Sequence, residues 1–64
     1  LTNEDQALEI LQQYGGQMKQ TDIVDELGWS KSKTSRVLSG MADDGTIEKL
    51  RLGRENVIRL QQDE

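Results

Sequence analysis

The sequence contains no cysteine, no histidine and no proline. The absence of cysteine excludes disulfide staples and thiolate metal sites, and the absence of histidine removes the usual catalytic base. With no proline to mark a linker, glycines punctuate the chain, at Gly15–Gly16, Gly28, Gly45 and Gly53. No apolar run approaches the roughly 18 residues of a membrane span, and the first residues do not form a signal-peptide pattern. The chain opens at Leu1 rather than at methionine, as a piece of a longer protein would. The expectation is a soluble, cytoplasmic domain without a membrane segment. At 64 residues there is room for one domain, 1–64, with no internal repeat. A chain of this size buries only about 60% of the surface its unfolded form exposes, so its stability margin is small.

The net charge of −4 would by itself argue against a nucleic-acid partner. Its distribution argues the other way. Residues 1–28 carry Lys19 against six acids (Glu4, Asp5, Glu9, Asp22, Asp25 and Glu26). Residues 29–41 carry Lys31, Lys33 and Arg36 with no acid. Asp43, Asp44 and Glu48 follow, then Lys49, Arg51, Arg54 and Arg59 against Glu55, and Asp63 with Glu64 close the chain. Seven of the eight cations therefore lie between Lys31 and Arg59. DNA responds to potential within about 10 Å, so a local patch outweighs the total.

Apolar periodicity orders the elements. Ala7, Ile10, Leu11 and Tyr14 recur at helical spacing, widened by Leu8, and predict a first helix over about 3–14. Thr2 or Asn3 can cap it, and Glu4 and Asp5 suit the positive end of its dipole. A short extended stretch, Gln17–Met18–Lys19, is free to pair as a stray strand. Helix two is expected over about 20–27, with Ile23, Val24 and Leu27 inward, and Gly28 turns the chain out of it. Ser30 is a suitable N-cap for a third helix over about 31–43, whose inward face is Thr34, Val37, Leu38 and Met41. Gly40 inside that helix suggests close approach of another backbone. From Thr46 to Leu60 the period changes: Leu50 and Leu52 alternate with Arg51, and Ile58 and Leu60 with Arg59, around Gly53–Arg54. This is the pattern of a two-stranded hairpin over about 46–60.

Gln20 to Leu38 meets the requirements of a helix-turn-helix: an anchored first helix, a glycine turn of three or four residues, and a second helix with one apolar stripe. Trp29, directly after the turn glycine, is expected in the core, with its indole N–H on a backbone carbonyl. The free face of the second helix carries Lys31, Ser32, Lys33, Ser35, Arg36 and Ser39. Short hydroxyl side chains let a helix sit deep in the roughly 12 Å major groove, while Lys and Arg reach phosphates or guanine edges. In a chain this acidic, an ordinary solvated helix would carry Glu and Asp there. The fold class expected is α+β, a winged helix-turn-helix of three helices followed by a two-stranded wing.

The stretch MKQTDIVDELGWSKSKTSRVLSGMADDGTIEKLRLGRENVIRL, with GWSKSKTSRVL, DDGTIEK and GREN within it, resembles the winged helix-turn-helix of MarR-like prokaryotic transcription regulators. It is most similar to small C-terminal domains of archaeal regulators. The resemblance implies that the helix matching Lys31–Met41 enters the major groove and that the hairpin matching Ile47–Leu60 is the wing. It places Ser32, Lys33, Ser35 and Arg36 at the groove and Arg51 and Arg54 at the wing. The terminal helices through which many MarR-like proteins dimerise have no counterpart in this stretch, so a homodimer would form through other parts of a parent chain.

Other readings are weaker. Arg59 and Lys49 are expected to flank the sheet and pair with acids of the same domain. Asp43, Asp44, Gly45 and Glu48 faintly suggest an oxygen-ligand loop, but a helix stop at a glycine explains them better. Catalysis lacks an activated nucleophile and a phosphate loop, so neither an enzyme nor a cofactor is expected. The leading partner is double-stranded DNA. The alternative is a winged-helix protein-interaction module using the acidic first two helices, which exposed apolar positions on helix one would favour.

Overall fold

The first helix, α1 (Asn3–Gln13), starts at a complete capping box. The Thr2 side chain accepts from the Asp5 N–H at 3.1 Å, and Asp5 accepts from the Thr2 N–H at 3.2 Å. The computed structural model describes residues 2–61; the acids Asp63 and Glu64 lie outside them. The helix ends as the Gly16 N–H returns to the Leu11 carbonyl at 2.7 Å and the Gly15 N–H to that of Gln12 at 3.2 Å. Ala7 and Leu11 are fully buried, while Leu8 and Ile10 are half-buried against the same core. Tyr14 departs from the predicted stripe. It is the C-cap residue, just past the last helical turn, and remains 52% exposed.

The chain then forms β1 (Gln17–Lys19), α2 (Gln20–Leu27), α3 (Lys31–Asp43), β2 (Ile47–Leu52) and β3 (Glu55–Leu60). Three helices with an antiparallel hairpin make an α+β, winged-helix-like layout. The turn between α2 and α3 depends on Gly28, whose φ of 69° is costly for any residue with a Cβ. Its N–H closes the helix on the Val24 carbonyl at 2.9 Å. Ser30 then caps α3, its hydroxyl accepting from the Lys33 N–H at 3.0 Å. Thr34, fully buried, donates its hydroxyl to the Ser30 carbonyl at 2.8 Å, so this buried hydroxyl is satisfied. The Asp43–Glu48 stretch contains the helix stop: the Thr46 N–H bonds the Met41 carbonyl at 2.9 Å, and the Gly45 N–H that of Ala42 at 3.1 Å.

The sheet order is β1-β3-β2, antiparallel throughout, so the short segment at Gln17–Lys19 does pair, with Met18 opposite Ile58. Gly53 and Arg54 form a two-residue turn between Leu52 and Glu55. Positive φ falls on Gly53 (64°) and not on Arg54, the pattern of a type II′ turn, which follows the twist of the strands. The register corrects the simple alternation of leucines. Opposite pairs are Ile47↔Leu60, Lys49↔Ile58 and Leu50↔Val57. Ile47, Ile58, Leu60 and Met18 thus share the face that packs on the helices, and Leu50, Leu52 and Val57 lie on the other. Leu52, near the hairpin tip, is 58% exposed.

One core unites these layers: Ala7, Leu11, Met18, Ile23, Leu38, Met41, Ile47 and Ile58 are buried together. Leu27 and Val37 are half-buried against it, whereas Val24, expected inward, is half-buried but is not part of this packing and lines a surface notch instead. Trp29 is not fully in this core. It is half-buried at the edge, and among the described residues its indole N–H makes no hydrogen bond. Gly40 is also not where another backbone approaches, since a Cβ built there meets nothing within 4 Å. Gly40→Ala is therefore expected to stabilise the domain by about 0.5–1 kcal/mol through reduced unfolded-state entropy. A urea titration checks this; a destabilised variant would reveal a close neighbour at that site.

Candidate nucleic-acid interface

Helix α3 carries its charges against its own dipole. Its first turn holds Lys31 and Lys33 with no acid, and its last residue is Asp43. Both ends oppose the macrodipole, which favours anions at the N-terminus and cations at the C-terminus by about 0.3–1 kcal/mol per charge. Helices α1 and α2 follow the rule at their first turns, with Glu4, Asp5 and Asp22, although the last turn of α2 holds Asp25 and Glu26. Cations in the first turn set α3 apart from the other two helices, and a local rule broken there is the pattern expected of a functional surface.

With Thr34, Leu38 and Met41 buried, the helical period turns Ser32, Ser39 and Arg36 directly outward, with Ser35 beside them. Ser32, Arg36 and Ser39 are exposed, and Ser35 is half-buried. Lys31 and Lys33 flank this ridge on opposite sides. Lys31 is exposed and shares a notch of about 330 Å³ with Gln20, Thr21 and Asp25 of α2 and with Arg54, Glu55 and Asn56 of the hairpin, so two carboxylates line it beside the two cations. Arg36 opens on the other side, onto a recess of about 400 Å³ with Thr2, Glu4 and Gly40. The predicted residues therefore divide: Lys31 and Arg54 meet across one notch, while Arg36 lies away from it, toward the N-terminus of α1. Arg51 is exposed near the hairpin tip. Lys33 folds back so that its ammonium lies 4.8 Å from the centroid of the Trp29 ring, a cation–π contact of about 0.5–1 kcal/mol.

Ion pairing sorts the cations. Lys19 pairs with Glu55 at 3.2 Å, and Arg59 pairs with Glu48 across the strands. Among the described residues, the other six Lys and Arg make no ion pair: Lys31, Lys33, Arg36, Lys49, Arg51 and Arg54. All six lie on α3 or the hairpin. Lys49 does not pair with an acid as its neighbours suggested. Its ammonium donates to the Ser39 hydroxyl at 3.4 Å, joining β2 to the outward face of α3. The signal for this lay in register, because Lys49 shares parity with the buried Ile47 and so lies on the helix-facing side. Gln20, Thr21 and Asn56 beside the notch had no sequence signal of their own.

Tyr14 sits beside the α2 acids, and its pKa is raised above the usual phenol value by a hydrogen bond to Glu26, the Glu26 charge, desolvation and the charge of Asp22. No helix among the described residues is long and apolar enough to cross a membrane.

The fold and this surface define a class, a winged-helix-like α+β domain with its unpaired positive charge on the third helix and hairpin. Over residues 1–61 the chain matches the family described as "Domain of unknown function (DUF7343)", and it belongs to that family. No curated protein matches it, and no solved structure does.

Proposed function

We propose that this domain binds double-stranded DNA as the DNA-binding part of a transcription regulator, in the manner of the MarR-like regulators its sequence resembles. Helix α3 would lie in the major groove with Ser32, Ser35, Arg36 and Ser39 toward the bases, and Arg51 and Arg54 would hold the wing on the backbone. The observation that carries this reading is the sorting of cations. In an acidic chain with acid to spare, six of the seven cations on α3 and the hairpin have no ion-pair partner among the described residues. An anionic partner of matching extent is the simplest reason to leave them unpaired. A single copy binds weakly, so two copies on a two-fold site about one helical turn apart are expected.

The test is a fluorescence-anisotropy titration of a duplex of about 25 base pairs, repeated at rising salt. With roughly four to six phosphate contacts, log affinity should fall linearly with log salt at a slope of about −4 to −5. A flat signal at low salt and tens of micromolar protein would overturn the reading. The protein-interaction alternative would then lead. It is favoured by one feature, the exposed Tyr14 at the end of α1 beside Glu26 and Asp22.

A further inference from the structure

We infer that Trp29 is a positioning residue, holding the Lys33 ammonium at the first turn of α3 in readiness for a DNA backbone phosphate. The inference rests on the DNA-binding reading above and specifies how one contact of that surface is made.

Lys33 is held at both ends. Its backbone N–H donates to the Ser30 hydroxyl at 3.0 Å, and its ammonium lies 4.8 Å from the Trp29 ring centroid. The ring is itself fixed, half-buried against the core between the Gly28 turn and the Ser30 cap. Lys33 is half-buried, whereas Lys31 and Arg36 on the same helix are exposed. A free lysine loses much of its rotamer freedom when it grips a phosphate; here the contact with the ring has removed part of that freedom on folding. The π-face provides no hydrogen-bond acceptor of oxygen or nitrogen, so the ammonium keeps its N–H donors for a phosphate oxygen. No carboxylate among the described residues pairs with it. A tryptophan needed only for packing would be expected deeper in the core, with its indole N–H bonded, and Trp29 is neither.

The experiment is a double-mutant cycle in duplex binding, using Trp29→Leu, Lys33→Met and the pair, with Trp29→Tyr as the conservative replacement. Trp29→Leu should weaken binding about three- to fivefold at fixed salt. Lys33→Met should weaken it further and flatten the salt slope by about 0.9, one phosphate contact. With Met at 33, Trp29→Leu should add no further loss, and Trp29→Tyr should bind within about twofold of the wild type. Equal losses from Trp29→Leu in both backgrounds would overturn the inference, leaving Trp29 a packing residue and the DNA reading intact. A wild-type chain that does not bind the duplex overturns both. Should Trp29→Leu fail to fold, Trp29 fluorescence carries the test. The duplex should shift its emission in the wild type and not in Lys33→Met, and an equal shift in the two would overturn the inference.

Discussion

Arg36→Glu is expected to weaken duplex binding by about 100-fold or more while moving the stability of the domain by no more than about 0.5 kcal/mol. The side chain is exposed, makes no ion pair among the described residues, and lies on the outward ridge of α3 with Ser32 and Ser39. Nothing in the core depends on it. In the groove, its loss removes a contact of about 1–3 kcal/mol, and the new carboxylate faces a polyanion. Anisotropy at low salt measures the binding, and circular dichroism with a urea titration measures the fold. Unchanged affinity in a folded variant would remove α3 from the interface.

Leu38→Ala is the opposite experiment on the same helix. Leu38 is fully buried, in the cluster that includes Leu11 from α1, Ile23 from α2 and Ile58 from β3. Removing its isobutyl group costs the transfer free energy plus that of the cavity, about 3–5 kcal/mol. Single cores of this size rarely supply more than about 3–5 kcal/mol in all, so the variant should be largely unfolded at room temperature. Urea titration and near-ultraviolet circular dichroism would show it; a cooperative transition at the wild-type midpoint would mean the core is not where these contacts place it. Arg36→Glu and Leu38→Ala lie two positions apart and separate the two faces of one helix, binding from folding.

The α+β class was legible because each element carries its own punctuation. The Thr2 and Ser30 caps, the turn glycines and the change of period after Thr46 are local, and local chemistry survives in a linear string. The parts that were not legible depend on strand register and on neighbours distant in sequence. Leu50 and Leu52 look equivalent to Ile58 and Leu60 as alternating apolar residues, but a two-residue turn places Leu52 opposite Glu55 and puts the two pairs on opposite faces. Tyr14 fits a helical stripe that ends one residue before it. Gly40 suggested a close backbone, but only the packed structure shows open space there.

The candidate surface divides in the same way. The sequence alone determined that the third helix carries cations and hydroxyls with no acid between residues 29 and 41, because composition along one helix needs no partner to be read. Only the tertiary structure decided which cations are neutralised. Pairing is a matter of a few ångströms, and Arg59 with Glu48, or Lys19 with Glu55, are brought together by strand pairing across gaps in the chain. The tertiary structure likewise decided that Lys49 reaches Ser39 and that Lys31 faces Arg54 across a notch. Charge along a helix is set by sequence order, but which charges remain unpaired is set by distance in the folded chain.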